Sequence, residues 1–161
     1  MRSASLAELK KELKTLHPDE VADLCARLIK YKKDNKELLN YLLFESYNED
    51  AYIEAVKEDV EEAFAATNTT SFYLAKKSIR RALRIVNKYS KYSDVPETEL
   101  ELLIFFCQQL RKTDLDLNRS KVLLNLYNRQ LLRIDKIFNT LHEDLQYDFE
   151  EPIKELKAAY S

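Results

Sequence analysis

The stretch Pro96–Lys112, PETELELLIFFCQQLRK, decides the fold class. Leu100, Leu102, Leu103, Ile104, Phe105 and Phe106 point in nearly every direction around a helix axis, and a helix without a polar face is a buried one. Pro96 stands where the first turn begins, the position at which a missing amide hydrogen costs nothing. A helix that must be covered on all sides needs neighbours. The flanking sequence supplies them as helices, because there is no glycine in 161 residues and only three prolines. Tight hairpins, whose turns need positive φ, are disfavoured. The charged and apolar fractions, 34% and 45%, are both high, as amphipathic helices require. At about 100–200 residues per domain, the expectation is one all-α domain over 1–161. It has seven or eight helices, arranged as an α-α superhelix of HEAT-like pairs or as an irregular helical bundle.

Local signals set the expected bounds. Ser5-Leu6-Ala7-Glu8 is a capping box. Pro18, Pro96 and Pro152 each fall at the expected first turn of a helix. Without glycine, asparagine is the next choice for left-handed C-caps, and Asn35, Asn48, Asn68 and Asn118 lie near the expected junctions. The pattern predicts helices over 5–16, 18–34, 36–47, 50–66, 71–92, 97–112, 119–147 and 150–160. Leu38, Leu39, Tyr41, Leu42, Leu43 and Phe44 make 36–47 apolar almost all round, so it is expected to be a second central element. Over 119–147, Leu124, Tyr127, Leu131, Ile134, Phe138, Leu141 and Leu145 recur at alternating spacings of three and four. Val122, Leu123, Leu126 and Leu132 widen that stripe, which favours a long helix packed along its own domain, and a monomer. A homodimer seam through 119–147 is the alternative.

A weak internal echo links 18–47 with 75–112. In each, an amphipathic helix ending in a Lys-Tyr-x-Lys segment leads through a short junction into an apolar helix, as in stacked helical pairs. The strings CARLIKYKKDNKELLNYLLFE (25–45), LAKKSIRRALRIVNKYSKYS (74–93) and TLHEDLQYD (140–148) resemble a family of small, wholly helical bacterial proteins classed as a domain of unknown function. The resemblance covers nearly the whole chain and implies a stand-alone bacterial cytosolic protein. It supplies no reaction, ligand or functional residue.

Several function classes fall away. The absence of glycine removes the P-loop, the dinucleotide fingerprint, the nucleophile elbow and the glycine-rich kinase loop. The formal net charge of −2 offers no global attraction to nucleic acid or an anionic membrane. No run approaches a membrane span, and Glu8, Lys10, Lys11 and Glu12 interrupt the first apolar residues, so a cytoplasmic protein without a membrane partner is expected. His142-Glu143-Asp144-Leu145-Gln146 looks like a metalloprotease fragment, but Gln146 stands where the second histidine is needed. His17 reads as a helix-boundary residue and His142 as an edge residue of the seam. Cys25 and Cys107 read as small buried hydrophobes. No spacing brings a nucleophile to either histidine, so no enzyme, metal or cofactor is expected.

The strongest remaining feature is charge segregation. Glu49–Glu62 holds seven acidic residues against one lysine, and Lys76–Lys91 holds seven basic residues and no acidic one. Lys77, Arg81, Arg84, Lys88 and Lys91, spaced four, three, four and three, form one helical stripe, as do Asp50, Glu54, Glu58 and Glu61. In the bland reading the two helices form an antiparallel hairpin and their charged flanks meet at the rim. In the functional reading the basic stripe is the partner-binding surface of a non-catalytic interaction or scaffold module. An acidic protein partner is favoured there. Nucleic acid, stacked by Tyr73, Tyr89 and Tyr92, is the alternative, weakened by the flanking acidic helix.

Overall fold

Residues 3–158 are described by a computed structural model whose regular structure is entirely helical. The helices are α1 Leu6–Leu13, α2 Pro18–Tyr31, α3 Lys33–Asn40, α4 Glu49–Ala65, α5 Phe72–Ser93, α6 Pro96–Lys112, α7 Lys121–Phe138 and α8 Glu143–Ala158. A π-helical turn, Tyr41–Glu45, follows α3, and a 3₁₀ turn, Leu117–Arg119, precedes α7. The fold is all-α, as expected. Internal contacts divide the chain into two compact units, Met1–Phe44 and Glu45–Ser161.

In the first unit the capping box forms: the Glu8 amide donates to Ser5 Oγ, and Glu8 Oε2 accepts from the Ser5 amide at 2.7 Å. The Ser5 amide and the Ser5 hydroxyl, both donating to Glu8 Oε2, hold the Glu8 carboxyl pKa below its ordinary value. A second box starts α2, where His17 Nδ1 accepts from the Asp19 amide and the His17 amide donates to Glu20. The break between α2 and α3 is a single extended residue, Lys32, and Asn35 Nδ2 reaches back 2.7 Å to the Leu28 carbonyl near the end of α2. Helices α2 and α3 pack together.

The expectation that 36–47 is a buried central helix is corrected. It splits into α3 and the π-turn, and although Tyr41 is buried, Leu42, Leu43 and Phe44 are 53%, 60% and 64% exposed. Apolar character all round predicts burial only where neighbours close every side, and α3 packs chiefly on one helix, α2.

The second unit is built around α6, which packs against α4, α5, α7 and α8. Four neighbours account for its lack of a polar face: Leu100, Leu102, Leu103, Phe106, Cys107 and Leu110 are fully buried. Burial pushes the Cys107 thiol up to about 12, whereas Cys25 is half-buried. A thiol reagent at pH 8 is therefore expected to modify Cys25 well before Cys107, which reacts only on unfolding. Equal rates for the two thiols in native buffer would contradict this packing.

The expected helix 119–147 is also corrected. It ends at Phe138, and α8 begins at Glu143, seven residues before the expected start at 150; residues 159 and 160 of that expected helix lie outside the described residues. The turn is made by side chains. Gln146 Nε2 donates to the carbonyls of Phe138 and Leu141, Thr140 Oγ1 donates to Ile137, and His142 Nδ1 accepts from the Asp144 amide. His142 is thus a helix cap and not a seam edge. Pro152 lies inside α8 and not at its first turn. The far end of α8 is tied down by the buried Tyr127 hydroxyl, which donates to Leu156, and by Arg111, which donates to Glu155; both fill carbonyls left without helical partners.

The asparagine C-caps do not form. Asn48 caps the start of α4, Asn68 accepts within a turn, and Asn35 and Asn118 lie inside helical segments. Among the described residues only Asp94, just past α5, takes positive φ, at 56°. Aspartate tolerates this region through the same short polar side chain that makes asparagine suitable.

Candidate functional site

The acidic and basic segments form α4 and α5, which pack on each other more extensively than any other pair of helices. The register is fixed at one end by Tyr52, whose hydroxyl donates to the Tyr89 carbonyl at 2.9 Å. There Glu49 Oε2 also accepts from the buried Ser93 and Thr98 hydroxyls, at 2.7 Å each. The face of α5 turned inward carries Ala75, Ile79, Ala82, Val86, Ser90 and Ser93, all buried. This row serves both helices on which α5 packs, α4 and α6.

The basic stripe begins two residues after this inward row, about 200° around the helix. Lys77, Arg81, Arg84 and Lys91 are accordingly exposed, and Lys88 is half-buried. The acidic stripe Asp50, Glu54, Glu58 and Glu61 is offset by two residues from the buried Tyr52, Val56, Val60 and Ala63, and so faces away from α5 as well. Rim pairing between the stripes is therefore corrected: both lie on outer faces, and none of the four carboxylates pairs with Lys77, Arg81, Arg84 or Lys91. The acidic helix is pinned to α6 instead. Lys57 Nζ bonds Glu54 and Glu101 at 2.7 Å each and lies 5.6 Å from the centre of the Phe105 ring, and Gln109 donates to Glu61. Partial burial alone would lower the Lys57 pKa, but its bonds to Glu101 and Glu54 outweigh that and hold it above the ordinary value.

Tyrosines accompany the stripe. Lys77 lies 4.9 Å from the Tyr73 ring centre, and Lys88 lies within 6.0 Å of both Tyr89 and Tyr92. Tyr73 is exposed, whereas Tyr89 is half-buried and stacks edge-on against Tyr52 and Tyr92. Tyr89 and Tyr92 are thus engaged with each other, and of the three tyrosines only Tyr73 is exposed.

At Lys91 the stripe borders a cavity of about 610 Å³ between the end of α5, the start of α6 and α7. Its lining includes Lys91, Lys136 and Arg133 but also Asp94 and Glu99, so its wall carries both signs. Arg133 is already committed, donating to Glu99 at 2.8 Å and to Asn87. Ser90 Oγ, buried beside this cavity, has no hydrogen-bond partner among the described residues. Sequence periodicity gave no signal for this cavity, because its walls come from three separate segments.

Among the described residues, no group of three or more His, Cys, Asp or Glu side chains could hold a metal ion, and no helix is long and apolar enough to cross a membrane. The two histidines stand far apart in sequence, each capping a helix. Comparison with protein-family models, curated proteins and solved structures finds no match to this chain.

Proposed function

We propose that this chain is a non-catalytic interaction module, cytoplasmic and of the small bacterial helical family it resembles, which receives an acidic protein partner on the outer face of α5. Lys77, Arg81, Arg84, Lys88 and Lys91 carry the contact. The observation that supports this reading is that Lys77, Arg81, Arg84 and Lys91 are exposed in one row while the chain's own acidic stripe is turned to another side. An aligned row of unneutralised cations has a local field that the net charge of −2 conceals. The acidic outer face of the adjoining α4 works against a continuous phosphate backbone, which favours a short acidic segment of protein over nucleic acid.

The test is a salt titration of binding to a glutamate-rich peptide, to single-stranded DNA and to mixed RNA, with Arg81→Glu/Arg84→Glu as the comparison. Wild type is expected to bind the peptide at low salt, and the double variant to bind at least about tenfold more weakly, or about 1.4 kcal/mol. Tighter binding to RNA or DNA, with the steep salt dependence of several phosphate contacts, would transfer the surface to nucleic acid. No binding to any of the three at low salt would remove the reading.

A further inference from the structure

The first unit holds an unfilled groove and, on the same chain, a helix suited to fill it. The groove, about 210 Å³, lies between α2 and α3 and is lined by Cys25, Leu28, Ile29, Leu38, Leu39 and Leu42. The helix is α1, whose Leu6, Leu9 and Leu13 follow the i, i+3, i+7 spacing of a helix that lays one face into an apolar groove. None of the three is buried, and α1 has no substantial packing partner among the described residues. Eight residues are too few for a helix to persist in water on its own propensity, so α1 needs a surface to lie on.

The four residues that join it to α2, 14–17, carry capping bonds to both helix ends. The Thr15 amide and hydroxyl both donate to the Glu12 carbonyl, the His17 amide donates to Glu20, and the Asp19 amide donates to His17. Each of these bonds caps one helix end, and with both caps in place no residue of α1 lines the groove. We propose that α1 of one copy occupies the α2–α3 groove of a second copy, reciprocally, giving a closed two-fold homodimer. The area is sufficient. Leu6, Leu9, Leu13, Leu24, Leu28 and Leu42 are 38–69% exposed. Together they offer apolar surface on the order of 500 Å², the apolar share of the roughly 800 Å² that each partner of a standard interface buries. This surface is separate from the α5 stripe, so either reading can fail alone.

Cys25 in the groove supplies the test. A chain carrying Leu9→Cys and Cys25→Ser is mixed with the unsubstituted chain and mildly oxidised; Cys107, fully buried, does not compete. A disulfide-linked dimer is expected in the mixture and in neither chain alone. Wild type is also expected to sediment as a dimer that dissociates on dilution, and Leu9→Asp as a folded monomer whose helical circular dichroism falls by no more than the share of the eight-residue α1, since Leu9 is outside any core. Wild type sedimenting as a monomer throughout, with no linked dimer, would overturn the proposal. So would closure of the link within one chain when Leu9→Cys is combined with native Cys25, because that places α1 in its own groove.

Discussion

Phe106→Ala is expected to destabilise the protein by about 3–5 kcal/mol in urea or thermal unfolding. Phe106 lies in the middle of α6, fully buried, with its ring centre 5.5 Å from that of Phe64 on α4. Truncation removes the transfer energy of the ring and leaves a cavity that four packed helices cannot readily collapse. Phe106→Leu, which restores most of the volume, is expected to lose much less. Phe44 provides the like-for-like control. It too sits in an apolar run, yet it is 64% exposed, and Phe44→Ala is expected to stay within about 0.5 kcal/mol of wild type. Equal losses at the two sites would mean that the 36–47 segment is covered after all.

The contrast between those two phenylalanines marks where sequence reading succeeds. For α6 the apolar residues, the leading proline and the trailing Arg111 and Lys112 all point to one outcome, and four neighbours realise it. For 36–47 the composition is similar, but burial depends on what other segments bring to it, which no local pattern records. The join between α7 and α8 was hidden for a related reason. Phe138, Leu141 and Leu145 continue the three-and-four spacing across it, while the bonds that end α7 come from the Gln146 side chain, eight residues beyond Phe138. The basic stripe was legible because helical periodicity alone places Lys77, Arg81, Arg84, Lys88 and Lys91 on one face. Its relation to the acidic helix was not, since that depends on which faces α4 and α5 turn to each other. The buried rows settle that: Tyr52, Val56 and Val60 on α4, and Ala75, Ile79 and Val86 on α5.

The face of α7 that points inward yields the second large effect. Its buried row is Leu123, Tyr127, Gln130 and Ile134, so the expected seam through Leu124, Tyr127, Leu131 and Ile134 is right at two positions and rotated at the others. Ile134 is fully buried, and Leu131 is only half-buried. Ile134→Ala is therefore expected to cost about 2–5 kcal/mol, whereas Leu131→Ala loses part of that, because its residual cavity opens toward solvent. If the row packs on α6 and α8 within one chain, both variants unfold at lower denaturant concentration and sediment as wild type does. A two-stranded contact between chains through α7 requires the opposite pattern. Leu131, on its rim, would then matter as much as Ile134, and either alanine would split a wild-type oligomer into folded monomers before unfolding it. Sedimentation of both variants across about a hundred-fold dilution, beside their urea midpoints, separates the two, and monomers released by Leu131→Ala would place this seam between chains.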